Sequence, residues 1–303
     1  MVNPIIRGAV LGAVLTLALW PAAASAKPLD QMFPDRVQSL GPTTRDVLGS
    51  YDYQQGTVRI GTGYAEAEVG ADFYFLGSFD ARSVLEDVWG NPPDDTVLGM
   101  IFPARYLPVD QESWGIAITY EPMGHVSDAD AASYDYTEML ADMKAGIREE
   151  NEWRRDNGYG AIELIGWAAE PRYDTANHKL YWAEELFFEG APGNTLNYNI
   201  RVLGRKGVLN LNFIADMSAL PEIEAAMPAV LEMVAFTPGN RHEEFDPATD
   251  QVAEASIGSL ISGGGMAEAG LAIAALVLLK KFWFVLLLPL FWLKNLFTGR
   301  RNS

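Results

Sequence analysis

Hydrophobic and polar positions alternate most regularly around Gly204-Arg205-Lys206-Gly207. Reading outward from the central pair, Val202 faces Leu209, Ile200 faces Leu211 and Tyr198 faces Phe213. On the other side Arg201 meets Asn210 and Asn199 meets Asn212. A period of two in both arms under one register predicts an antiparallel hairpin. Lys179–Phe188 and Ile162–Trp167 predict two further strands of the same sheet. Earlier strands are expected at Thr57–Ile60, Ala65–Val69, Phe73–Leu76, Thr96–Phe102 and Trp114–Glu121, and residues 27–50 read as a loosely packed lead-in. Helical spacing appears in three places. Ser78 is positioned to cap a helix bearing Ala81, Val84, Leu85 and Val88, stopped by Asn91-Pro92-Pro93. Asp135 with Glu138 opens the longest helix, about Tyr136 to Arg155, with Tyr136, Leu140, Met143 and Ile147 on one stripe. Leu220, Ile223, Met227, Val230 and Val234 mark the last. The expected fold is α+β, a mainly antiparallel sheet with helices packed on it.

The two ends break this pattern. Arg7, the apolar run Ala9–Trp20 and Ala24-Ser25-Ala26 read as an export signal over residues 1–26, with cleavage before Lys27. The other long apolar run, residues 266–297, is interrupted by Lys280-Lys281. Each lysine would cost roughly 2.5–3.5 kcal/mol at a bilayer centre. One crossing from Phe282 to about Phe297, with the lysines at an interface, is therefore expected over two short spans with the lysines at a turn. Lys294, Arg300 and Arg301 place the tail in the cytoplasm. The chain divides into a signal peptide (1–26), an acidic ectodomain (27–250) and a linker with C-terminal membrane anchor (251–303). That order predicts a bacterial inner-membrane protein with its ectodomain in the periplasm.

Charge narrows the partners. Residues 27–257 carry 16 basic and 39 acidic residues, a net charge of −23. Such a surface opposes nucleic acid and anionic lipid head groups, and leaves protein partners, cationic peptides and divalent ions open. There is no cysteine, which excludes disulfides, thiol nucleophiles and a lipid-modified N-terminus.

The sequence contains no nucleophile elbow, Walker loop, H-E-x-x-H pair or dinucleotide fingerprint. Gly204–Gly207 reads as turn chemistry, not as a phosphate loop. The densest polar and aromatic cluster runs from Gly166 to Glu185. Within it Glu184, Glu185, Asp174 and His178 are the weak candidates for acid–base chemistry. Strand alternation puts Glu184 beside Leu180 and Trp182, and Glu185 beside Tyr181 and Phe187. The competing role for these carboxylates is an ion pair with Arg172 or Arg201. Asn199, Arg201, Asn210 and Asn212 form a polar strip that either bonds buried backbone or faces a ligand groove. The only histidines, His125, His178 and His242, are far apart in sequence, so no metal site or cofactor is expected; assembly through folding, with Asp128 and Asp130 near His125, is the one route to a site.

Trp89-Gly90-Asn91-Pro92-Pro93, Gly166–Asp174 with Trp182-Ala183, Leu196–Arg205 with Gly207-Val208-Leu209, and the glycine-rich run before Lys280-Lys281 resemble the bacterial family of membrane-anchored proteins called domain of unknown function 2167. The resemblance implies an envelope protein with a membrane anchor and assigns no reaction or catalytic residue. The strand and helix order is also similar to the PsbP/Mog1-like sandwich. The expected function is a non-catalytic binding or assembly module with a protein partner in the envelope. The alternative is a periplasmic hydrolase or ligand-binding enzyme using the carboxylate and histidine cluster.

Overall fold

The computed structural model describes residues 25–263 except 90, 92, 157–159 and 192. Along these residues the order is β1 (Ser25–Lys27), α1 (Leu29–Met32), α2 (Pro42–Gly49), β2 (Tyr53–Ile60), β3 (Ala65–Val69), β4 (Phe73–Gly77), α3 (Ser78–Ser83), β5 (Gly99–Pro103) and β6 (Gly115–Glu121). Then follow α4 (Tyr136–Asp156), β7 (Ile162–Asp174), β8 (Lys179–Phe188), β9 (Thr195–Leu203), β10 (Val208–Asp216), α5 (Leu220–Met233), β11 (Val234–Phe236) and α6 (Ile257–Ser262). The strands form one antiparallel sheet ordered β11-β3-β2-β4-β5-β6-β10-β9-β8-β7, with β1 also on β2. The protein is α+β.

The β9–β10 hairpin has the register that the alternation predicts: Val202 opposite Leu209, Ile200 opposite Leu211, Tyr198 opposite Phe213, Arg201 opposite Asn210 and Asn199 opposite Asn212. Its turn must contain glycine for a second reason. A β-carbon on Gly207 would collide with the Glu121 carbonyl of the neighbouring β6.

Each face of the sheet carries its own core. On one face Tyr198, Ile200, Val202, Leu209, Leu211 and Phe213 pack with α5 through Ile223, Met227 and Val230. Lys179, at the start of β8, ties α5 down by donating to the carbonyls of Leu231 and of Val234, the latter at 2.9 Å. The opposite face is shared. α1, α2 and α3 cover its first half, and α4 with α6 covers its second.

Several expected boundaries move, for local reasons. The strand expected from Thr96 begins at Gly99, because Asp94 Oδ1 accepts from both Thr96 N and Thr96 Oγ1 and holds that stretch in a turn. Val234 leaves the last helix and opens β11 against Ala67. The helix from Ser78 widens into a π-turn over Val84–Val88, where Trp89 N reaches Val84 O. Residues 27–50 are not a loose lead-in, since Leu29, Phe33 and Leu48 are core residues. β7 extends through Pro171 to Asp174, with three register shifts against β8. An edge strand tolerates such a proline and such bulges.

Of the expected signal peptide only Ser25 and Ala26 are described, and they belong to β1; residues 1–24 and the C-terminal anchor lie outside the described residues. Among the described residues, no helix is long and apolar enough to cross a membrane.

Candidate functional site

α4 packs along the β7 edge of the sheet, with Leu140, Met143 and Ile147 against Ile162, Leu164 and Leu186. Asp135 Oδ1 caps its start by accepting from Thr137 N and Glu138 N, but over its 21 residues only Asn151 and Arg154 are buried. Those two pin its C-terminal end. Asn151 exchanges two hydrogen bonds with the backbone of Ile162, at 2.6 and 2.8 Å, and Arg154 Nε donates to Gly160 O at 2.9 Å. At the N-terminal end Trp167 Nε1 donates to Tyr136 O. Between these ties Lys144 Nζ donates to Ile165 O at 2.7 Å, and the apolar stripe predicted from sequence also lines a groove of about 940 Å³ that α4 shares with α6.

The groove has three chemical zones. Met139, Met143 and Ile147 of α4 face Leu260 and Ile261 of α6 across it. Asp135, Glu138, Asp142 and Glu150 form an acidic rim. The floor is the β8–β9 surface, with Trp182, Glu184, Asn197, Asn199 and Arg201. α6 is held as the second wall by a reciprocal cap between Ser256 and Ser259 and ends at Gly263, whose φ of 77° suits glycine.

Arg201 is the unusual residue of the floor. It is 7 % exposed and sits over the Trp182 indole, 5.0 Å from the ring centroid. Its Nη1 donates to Asn212 Oδ1 at 3.0 Å and to Ile200 O at 3.3 Å; Nη2 donates to Asn199 Oδ1 at 3.4 Å. Its Nε has no partner. Burial pulls the guanidinium down to about 10, against the opposing pull of Glu184 and Glu121. Glu184, 8 % exposed, is not its ion-pair partner. That carboxylate accepts from Trp182 Nε1 and Asn197 Nδ2, both at 2.9 Å, and burial raises its pKa despite these bonds.

The four residues proposed for acid–base chemistry do not converge. Glu184 faces the groove. Glu185 is on the opposite side of β8 and accepts from Asn194 Nδ2 at 2.5 Å. Asp174 closes the β7–β8 turn, accepting from Ala176 N, Asn177 N and Asn177 Nδ2. The polar strip of the hairpin splits into groove-lining residues and residues whose amides bond neighbouring side chains, not the buried backbone considered for them. Asn199 and Arg201 line the groove, whereas Asn212 braces Arg201 and Asn210 Nδ2 donates to Thr119 Oγ1 at 3.4 Å.

His178 belongs to a second constellation, and here the expectation of scattered loop histidines is corrected. The three histidines form one pile, with His125 to His242 at 4.2 Å and His242 to His178 at 4.3 Å between ring centroids. Phe245 stacks on the outer face of His125 at 4.0 Å. His242 is buried. Burial lowers the pKa of both His125 and His242; the adjacent imidazole adds to the effect, while Asp128 and, at His242, the bond to Val126 O oppose it. Asp128 joins at the side of His178, 3.1 Å from its Nδ1. Local sequence offers no i,i+2 or i,i+4 signal for this assembly, because chain segments 50 or more residues apart build it.

An antiparallel sheet with α4 and α6 on its second face, flanking a polar-floored groove, makes this an α+β protein. The profile of the family described as Protein of unknown function (DUF2167) matches residues 52–291, and the chain belongs to that family. No curated protein matches the sequence. Among solved structures, the cyanobacterial PsbP (CyanoP) from Synechocystis sp. PCC 6803 overlaps 60 % of this chain and 91 % of its own, at 10 % identity and a TM-score of 0.34. A likeness that distant has no bearing on fold or function.

Proposed function

We propose that the chain is a non-catalytic binding module of the bacterial envelope. In this reading residues 1–26 export it, the C-terminal segment holds it to the inner membrane, and the periplasmic groove receives a polypeptide segment of an envelope partner. The observation that carries the reading is Arg201, a guanidinium on the groove floor with no ion-pair partner among the described residues. A buried charge is normally paired, so a carbonyl-bearing ligand is the natural complement. Asn197 and Asn199 add amide donors and acceptors of the kind that pair with a peptide backbone. The apolar walls suit hydrophobic side chains, and the acidic rim favours a basic segment over an anionic one. The hydrolase alternative lacks support, since Glu184, Glu185 and Asp174 point to separate environments.

Site-specific photo-crosslinking in intact membranes tests this. A benzophenone side chain at Met143, inside the groove, is expected to give a covalent polypeptide adduct. One at Phe79, which is 77 % exposed and outside the groove, is expected to give none. Arg201→Gln should abolish the Met143 adduct. Equal labelling from both positions, or no polypeptide adduct from Met143, removes the basis for the reading.

A further inference from the structure

The histidine pile lies outside the groove and is built by three separate segments. His125 is fixed by a parallel bridge to Val252, in which His125 N donates to Gln251 O at 2.8 Å and Ala253 N donates to His125 O at 2.9 Å. His178 closes the β7–β8 turn, and His242 opens a 3-10 turn over His242–Glu244. One ligand-type atom from each of Asp128, His178 and His242 lies within 4.8 Å of the others. We propose that Asp128, His178 and His242 form a binding site for a divalent first-row transition metal.

The donor set selects the class of ion. Two imidazoles with one carboxylate suit zinc and its neighbours, whereas calcium and magnesium take oxygen ligands almost throughout. The separations are close to those needed. Metal bonds of about 2.0–2.2 Å in tetrahedral array put ligand atoms roughly 3.3 Å apart. Asp128 Oδ2 and His178 Nδ1, at 3.1 Å, already have that spacing. His242 has to close by no more than about 1.5 Å by the same geometry. Because stacked rings hold their lone pairs side by side, closure turns one ring. His178 is the one able to turn, since its side chain is 24 % exposed and that of Asp128 beside it 30 %.

Two surrounding features match what metal ligands require. The second nitrogen of a ligating imidazole normally donates to a carbonyl or carboxylate, and His242 Nε2 is 2.8 Å from Val126 O. The ligating carboxylate is normally braced as well, and the Tyr173 hydroxyl donates to Asp128 Oδ2 at 2.6 Å. His178 is also the one non-glycine residue with positive φ, 51°, among the described residues. That conformation is uncommon outside glycine, and it holds the imidazole against Asp128 and His242. His125 stands behind His242 with a buried Nδ1 that has no partner, so the pile contains more imidazole than its hydrogen bonds use. Three protein ligands leave a fourth position for water or a small ligand.

The test uses the full chain, purified in detergent and stripped with a chelator. Cobalt(II) is titrated in and followed by its visible d–d bands; zinc(II) is titrated in competition with a chromogenic chelator. One saturable equivalent is expected, with tetrahedral-type cobalt bands. Asp128→Asn should weaken zinc at least tenfold, and Asp128→Asn with His178→Asn should abolish it. Both substitutions are at partly exposed positions, and asparagine tolerates the left-handed backbone at 178. Zinc protection of His178 from diethylpyrocarbonate in the unaltered chain gives a readout independent of variant folding. Absence of a saturable equivalent, equal affinity in the double variant, or unprotected His178 overturns the site.

Discussion

Arg201 lies 5.0 Å above the indole ring of Trp182, and its nearest hydrogen-bond acceptors are side-chain amides and one backbone carbonyl, not carboxylates. The indole face supplies cation–π attraction, which gains strength where water is excluded. It does not replace the missing counter-ion. An isolated cation held this way is a cost to the fold, and it remains where the fold gains nothing by neutralising it.

That cost sets the first prediction. Arg201→Met is expected to change the unfolding free energy by no more than about 1–2 kcal/mol, because the lost amide bonds offset the relief of a buried charge. The groove adduct from Met143 should nevertheless disappear. Urea denaturation of the ectodomain region measures the first part; a loss above about 3 kcal/mol would mean that Arg201 is a structural brace.

Glu184 gives a pH signature. Burial raises its pKa in the fold above 4.5, so the native state holds this proton more tightly than the unfolded chain does. Its contribution to stability is therefore complete below pH 4.5 and is lost as pH climbs through the native value. Glu184→Gln should flatten that part of the stability–pH curve. A carbon-detected NMR titration placing the Glu184 midpoint at or below 4.5 would contradict this.

Asn151 ties the C-terminal end of α4 to the start of β7. Asn151→Ala leaves both Ile162 N and Ile162 O without their partner, at a cost of about 2–4 kcal/mol for two buried backbone groups. Hydrogen exchange along 136–156 should accelerate well before exchange in β9 and β10. Uniform acceleration through the whole chain would show that α4 and the sheet unfold as one unit.

Asp250 holds the hairpin turn to the C-terminal loop. It takes Arg205 Nε at 2.5 Å and Nη2 at 3.2 Å, and its pKa falls from 3.8 to about 2, chiefly through these bonds. The stability it provides is present above pH 3.8 and is lost as pH falls toward about 2. Asp250→Asn should lower the melting temperature at pH 7 and remove this part of the acid limb. An unchanged acid limb in that variant would assign acid unfolding to other groups.

The hairpin was readable from sequence because both arms carry the same period-two code, and one misplaced residue would have exposed Leu209 and Leu211. The α4 stripe was readable for the same kind of reason. Its share in the groove was not, because periodicity shows which face is apolar and not which neighbours that face meets. The pairing of Arg201 with Asn210 across the strands was visible, but the absence of a counter-ion depends on where Glu184 points. The histidine pile was least legible. It requires the bridge between His125 and Val252 and the turn at His178, both of them contacts that a linear reading does not encode.

α4 is tied to the β7 edge along its length, by Asn151 and Arg154 at its C-terminal end, by Lys144 in the middle and by the Trp167 bond to Tyr136 at its start. One wall of the cleft is therefore anchored to the sheet at both ends and in the middle. Losing the Trp167 bond alone leaves the Lys144 tie and the packing of Leu140, Met143 and Ile147 in place. A cleft walled in this way keeps one shape, so an occupant would have to fit it and not open it.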